Sequence, residues 1–378
     1  MIDLTIGDNT QQILKGHLED TERLLRRACS VESGREGDAN IVLLPDLGMP
    51  YNVARICGGF FTGAFYSWES DVPIIPIDAT VNSCGVSIYR LNRDVRIEEF
   101  RARIKAARSK ASESSYVWNF DKGNHFIICG TGSINQLGTG WFAVLHSSAG
   151  EFKSQHNGLY PTRDNWYYHH IKTINSEIPG RYLRYLSGKS AEQFWDVASQ
   201  LERFNKTRHR YFAEVLFGSG LIDEEVYNVQ HYGMPTPHTI SIGCQWIPSG
   251  GKWVLLTSRG EPIYVVAPNN GGSNRTMIDD KVYGLYPHGL GMEAIGPAPM
   301  CFVERGIYFN GTLRVPGDSL EYGVDVQVRR SISERQSTTQ QLADVVLSRM
   351  GGQIAGRIDP RCWHDAETDD ATAGQAVV

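Results

Sequence analysis

Apolar residues recur at helical spacing in three stretches of the chain. Ile13, Leu14, Leu18, Leu24 and Leu25 mark an amphipathic helix over 10–29, and Ile97, Phe100, Ile104 and Ala107 mark a second over about 96–110. In a third, Phe194, Val197, Leu201, Phe204, Tyr211 and Val215 form a stripe reaching residue 217. That helix is predicted to start at a capping box, Ser190 with Gln193 three positions on. Short β-rich runs fill much of the remainder: "NIVLLPD" (40–46), "VPIIPI" (72–77), "GVSIYRL" (85–91), "HFIIC" (125–129), "WFAVL" (141–145), "KWVLLTS" (252–258) and "PIYVVA" (262–267). The pattern predicts an α+β protein with its polar, chemistry-bearing residues at strand ends. No fixed-period repeat or linker interrupts it, so one domain is expected over 1–365. The stretch 366–378 lacks large apolar residues and is expected to be a disordered tail.

Two glycine-bearing segments imitate phosphate-binding loops. "LSGKS" (186–190) has Leu183 where a P-loop needs its first glycine, so it is better read as the start of the third helix. "GTGSIN" (130–135) ends on Asn135 and lies between two predicted strands, where glycines usually make a turn.

The net charge of -5 argues against a protein that coats nucleic acid non-specifically, because phosphate neutralisation supplies most of that affinity. The basic runs "ERLLRR" (22–27) and "RARIKAARSK" (101–110) read as solvated helix faces. No apolar run approaches the roughly 20 residues of a membrane span, and "MIDLTIGDNT" lacks the basic start of a signal peptide. The 7 cysteines stand singly with no CxxC, a pattern of reduced thiols. A cytoplasmic location is therefore expected.

Chemistry concentrates in five short pieces: "NSCGV" (82–86), "KGNHF" (122–126), "LHSSAG" (145–150), "VQHYG" (229–233) and "YPHGLG" (286–291). Each sets a thiol or an imidazole beside glycine, asparagine or serine. The last is too rich in helix and strand breakers to be predicted as either element. One thiolate with several imidazoles is a ligand set for Zn²⁺, Mn²⁺, Fe²⁺ or Co²⁺. For any one of these residues alone, a hydrogen-bonded core side chain is the commoner role. Among the other histidines, His17, His209 and His364 are expected to be exposed, and His169 and His170 to point apart; His156 and His238 lie near these pieces in sequence.

The order of the pieces resembles the RtcB family of RNA-splicing ligases. The likeness runs from "NIVLLPDLGMPYN", similar to that family's "MPD" segment, through "PIDATVNSCGVSIYRL", "DKGNHFIIC", "AVLHSSAG", "RFNKTR", "VYNVQHYG" and "LLTSRGEPIYVV" to "YPHGLG", about residues 40–295. It implies a single RtcB-like domain of mixed sheets with surrounding helices. It also implies Cys84, His125, His146 and His231 as ligands of Mn²⁺, or of Zn²⁺ or Co²⁺, with Cys84 shared between two ions. His288 is implied as the nucleophile that takes GMP from GTP. Asn124, Ser258, Gly260, Gly289 and Gly291 would lie against the nucleotide, and RNA ends would be the acceptor. The resemblance leaves open a smaller phosphorylated or carboxylated acceptor, or a non-catalytic metal- or nucleotide-binding relative. The chain departs from the family pattern at Val81, where the family has a metal-binding aspartate, leaving Asp78 and Asn82 as nearby donors. It also has Ile128 in place of a guanine-contacting glutamate, lacks a C-terminal Lys-Gly, and lacks two arginines, leaving Arg259 and Lys206 as cations that would partly replace them.

Overall fold

The computed structural model describes residues 1–366 except 8, 49, 51–52, 152–158, 179, 270–273, 292–299, 304–305, 310–311 and 317–337, with backbone alone at 9, 10, 13, 53 and 300–316. The tail expected to be disordered lies outside the described residues from 367 onward, as does His156.

The architecture is mixed α and β, with five sheets among the described residues. The largest, of seven strands, runs in space β10 (Ile222–Gln230), β5 (Gly85–Leu91), β7 (Gly138–Ser147), β6 (Phe126–Ile134), β21 (Gly352–Asp365), β15 (Ile263–Pro268) and β14 (Trp253–Leu255). A five-stranded sheet is ordered β1 (Ile2–Asp3), β2 (Asp38–Gly48), β3 (Thr62–Glu69), β12 (Thr239–Ile242) and β11 (Tyr232–Gly233). Three smaller sheets comprise β13 (Cys244–Pro248), β17 (Lys281–Pro287) and β16 (Arg275–Ile278); β4 (Ile74–Pro76), β9 (Tyr182–Ser187) and β8 (Lys172–Asn175); and β18 (Met300–Val303), β19 (Gly306–Phe309) and β20 (Thr312–Pro316). The helices are α1 (Asn9–Ser33), α2 (Val53–Gly58), α3 (Ile97–Ser112), α4 (Lys189–Phe217) and α5 (Thr339–Met350).

The unbroken apolar runs arise because the large sheet is covered on both faces. Side chains alternate across a strand. Val86, Ile88, Phe126, Ile128, Phe142 and Val144 enter one core. Tyr89, Leu91, Ile127, Cys129, Ala143 and Leu145 enter another, against α3 and the second half of α4. The five-stranded sheet behaves likewise, with Ile41 and Leu43 turned toward α1 and Val42 and Leu44 turned to the opposite side.

Several expectations need correction. Helix α4 begins at Gly188 with no side-chain cap, and Ser190 Oγ donates instead to Ser187 O at 3.0 Å, because the chain turns straight from β9 into the helix. The residues 130–134 continue β6 rather than turning. Added Cβ atoms at Gly130 and Gly132 would lie 2.1 and 2.3 Å from backbone oxygens of β21, so these glycines permit close pairing of the two strands. Tyr286 and Pro287 close β17, pairing with Gln245 and Cys244.

Candidate metal centre

The register of four neighbouring antiparallel strands brings the distant ligand candidates to one end of the large sheet. Gly85 faces both Gln230 and Ser147, and Phe126 faces His146. Cys84 therefore just precedes β5, His125 just precedes β6, His146 lies near the end of β7, and His231 just follows β10. The backbone carries the pairing one step further, since His231 N donates to Cys84 O at 2.9 Å and Cys244 N donates to His231 O at 2.9 Å. The loop before Cys84 bends through Thr80 (φ 49) and Ser83 (φ 54), each a left-handed non-glycine of the kind that costs about 1–3 kcal/mol. Asn82 Oδ1 stabilises that bend by accepting Cys84 N–H at 3.0 Å.

Cys84, His146 and His231 are all buried, with ligand atoms within 4.8 Å of one another. Cys84 Sγ lies 3.3 Å from His146 Nε2 and 3.6 Å from His125 Nε2, and His146 Nε2 lies 3.3 Å from His231 Nε2. Metal bonds of about 2.3 Å to sulfur and about 2.0–2.1 Å to nitrogen, at a tetrahedral angle, would space the donors by about 3.5 Å and about 3.3 Å. The donor spacing thus fits a transition-metal ion.

Protonation points the same way. His125 Nδ1 contacts Asn119 O at 2.9 Å and His146 Nδ1 contacts Asn124 O at 3.0 Å. A carbonyl oxygen only accepts, so both Nδ1 atoms carry the proton and both Nε2 atoms present lone pairs toward the sulfur. Burial holds His125 neutral, with its pKa lowered to about 4, and lowers those of His146 and His231 well below the ordinary imidazole value. Burial also pushes the Cys84 thiol up to about 12, so a thiolate here requires a cation beside it. His231 Nδ1 is buried with no hydrogen-bond partner among the described residues.

His288 joins this group from another sheet. It follows β17, and its ring centre lies 4.7 Å from that of His231. Its N–H donates to Gly243 O at 3.2 Å, and its carbonyl accepts Leu256 N–H at 2.9 Å. Asp46, 3% exposed on β2, takes the ring: Oδ2 accepts from His288 Nδ1 at 2.6 Å, His288 N at 3.2 Å and Gly289 N at 3.3 Å. His288, in a segment whose breakers predict neither helix nor strand, is thus anchored at the meeting of three sheets. With Nδ1 committed to the carboxylate, Nε2 holds the lone pair when the ring is neutral.

The residues proposed for the nucleotide are placed unevenly. Ser258 and Gly260 lie in the turn after β14, beside the strand end that contacts His288. That turn also reaches β21, since Arg259 Nε lies 3.5 Å from Asp365, the residue opposite Phe126. Asn124 offers its carbonyl to His146. The Gly289 N–H is occupied by Asp46. Gly291 has φ +72, and an added Cβ would lie 2.9 Å from Asp46 Cα, so its glycine serves close packing on the carboxylate strand. Neither donor near Val81 reaches the sulfur: Asp78 is fully buried in a bidentate pair with Arg184, at 2.8 and 3.2 Å to Nε, and Asn82 caps the Cys84 N–H.

Sequence reasoning missed Asp46 as a functional residue, although an acid inside an apolar strand run was a usable signal. It also missed the buried polar face of α4, where Asn205, Arg208 and His209 are all 0% exposed. Asn205 Nδ2 donates to Ser83 O at 2.7 Å and Ser147 O at 3.2 Å, and His209 Nε2 lies 2.9 Å from Ser147 Oγ. His209 and His364 are therefore buried and His17 is partly buried, all contrary to expectation, because neighbouring helices and sheets close over them.

No protein-family model matches the chain, and no curated protein matches it.

Proposed function

We propose that this chain is a metal-dependent, RtcB-like nucleotidyltransferase, with His288 as the nucleophile, GTP as the donor and an RNA 3′-phosphate end as the acceptor. The reading rests foremost on one observation: the Asp46-bound imidazole of His288 lies against His231 of the Cys84, His146 and His231 group. A divalent ion held there, with His125 as a further donor, would neutralise charge on the α-phosphate. Sulfur and imidazole without a carboxylate favour Zn²⁺ or Co²⁺ over Mn²⁺.

The protein's own groups account for the transfer. The Nε2 lone pair attacks the α-phosphorus, the bond to the bridging oxygen breaks, and pyrophosphate leaves with that electron pair. Asp46 keeps the Nδ1 proton in place and balances the positive ring of the phosphoramidate. Attack by a terminal phosphate oxygen of the acceptor then breaks the P–N bond and returns the pair to Nε2. Ile128 is 0% exposed in the sheet core, so base selection at that position of the resembled family has no equivalent side chain here.

Metal-loaded protein is incubated with α-labelled GTP and, separately, ATP. The expected product is an acid-labile, hydroxylamine-sensitive protein adduct that is absent from His288→Ala. Fully metallated wild-type protein that forms no adduct with either nucleotide overturns the reading.

A further inference from the structure

Behind the centre lies a buried ion pair, Arg208 with Glu151, 0% and 3% exposed and 2.9 Å apart. Such pairs add little stability over apolar replacements of the same size. This one is arranged around a short segment that has no regular secondary structure, Val117 to Asn119. Glu151 Oε1 accepts Val117 N–H at 2.8 Å. Arg208 Nη2 donates to Val117 O at 2.6 Å and to Asn119 Oδ1 at 2.7 Å, while Nη1 donates to Ser147 Oγ at 2.7 Å. The segment is thereby gripped through both polar groups of one peptide residue and the side chain of another. Asn119 O is the atom that accepts His125 Nδ1–H.

The clamp acts selectively. His146 is oriented by Asn124 O and His231 by its backbone bonds to Cys84 and Cys244, none of which involves Arg208. His125 is also the donor outside the tight group of three. We propose that Arg208, with Glu151, is a positioning residue that holds His125 as the fourth protein donor, so that the centre takes one divalent ion with one sulfur and three nitrogens. The proposal rests on the metal reading above. It goes further in assigning ligand number to a pair outside the coordination group.

Co²⁺ titration reads both parts. Wild type, Arg208→Met, His125→Ala and the double variant are compared by affinity, by the d–d bands that report ligand number and by the sulfur-to-cobalt charge-transfer band. Arg208→Met is expected to weaken Co²⁺ binding roughly 10- to 100-fold, as loss of an outer-shell partner does. It should shift the d–d bands as His125→Ala does and retain the charge-transfer band. The double variant should lose no more than His125→Ala alone. Wild-type affinity and spectrum in Arg208→Met, additive losses in the double variant, or loss of the sulfur band overturns the proposal. If Arg208→Met does not fold, Asn119→Ala, which removes one clamp contact but keeps the carbonyl, is expected to give a smaller loss that is again non-additive with His125→Ala; additivity there overturns it equally. Wild-type protein that binds no Co²⁺ refutes the metal reading itself, and this proposal falls with it.

Discussion

Replacing Asp46 by asparagine separates the chemistry of His288 from its support. Oδ2 of Asp46 gathers three N–H groups, two from the backbone and one from the ring. Asparagine has the same shape, and its oxygen can still receive the backbone donors, so the stability loss should stay below about 2 kcal/mol. What disappears is the charge facing the ring. Loss of a charge-assisted bond of about 1.5–3 kcal/mol gives a floor of roughly 10- to 100-fold on the rate of adduct formation. If the amide nitrogen faces the ring, the proton moves to Nε2 and the nucleophilic lone pair is lost; an inverted tautomer of this kind costs about 10⁴-fold in a Ser-His-Asp triad. Single-turnover labelling with α-labelled GTP, alongside thermal melting and metal content, measures all three effects. A D46N protein that retains wild-type labelling at wild-type metal content refutes the role of the carboxylate.

Two further outcomes follow from the same packing. Gly243 has φ +66, and an added Cβ would lie 2.7 Å from Thr62 Cγ2 and 3.1 Å from His288 Cε1, so Gly243→Ala should lower the melting temperature and slow labelling together, whereas a variant with both unchanged contradicts the packing described. Burial lowers the pKa of His17 to about 4 from an ordinary 6.5, so its contribution is fully present above pH 6.5 and is lost as pH falls toward 4, by up to about 3 kcal/mol. Urea midpoints of metal-free protein should therefore fall less steeply across that window in His17→Gln than in wild type, and parallel curves would exclude the effect.

Much of the helical and strand pattern was legible because periodicity is local. The stripes predicted α1, α3 and α4 within a few residues, and five apolar runs fell inside or along strands of the large sheet. The stripe on α4 was nevertheless read slightly off its true face. Phe204 and Tyr211 are only partly buried, while Asn205, Arg208 and His209 point fully inward. A polar residue at a buried helical position is invisible to a pattern of apolar spacing, because what makes it tolerable is a partner from another element. Asp46 was overlooked for the same reason: its three donors come from residues more than two hundred positions away. Helix α5 carried its own signal, Thr338 with Gln341 in a capping box, which went unread. The five candidate ligand and nucleophile residues were found from their side chains and surroundings. Which of them form the compact group, and which partner orients each ring, required the strand register.

That register also bears on how the protein comes into being. Strand β21 lies in the interior of the large sheet, between β6 and β15, yet it is synthesised more than two hundred residues after β6. The sheet cannot close until this distant segment arrives, and pairing across such separations is slow. The four strands that gather Cys84, His125, His146 and His231 are complete by residue 231, so during translation the ligand end of the sheet can form while the far edge of β6 still waits for its partner. What stays exposed in that interval is the open edge of β6, a row of unpaired backbone N–H and C=O groups that any passing strand could join.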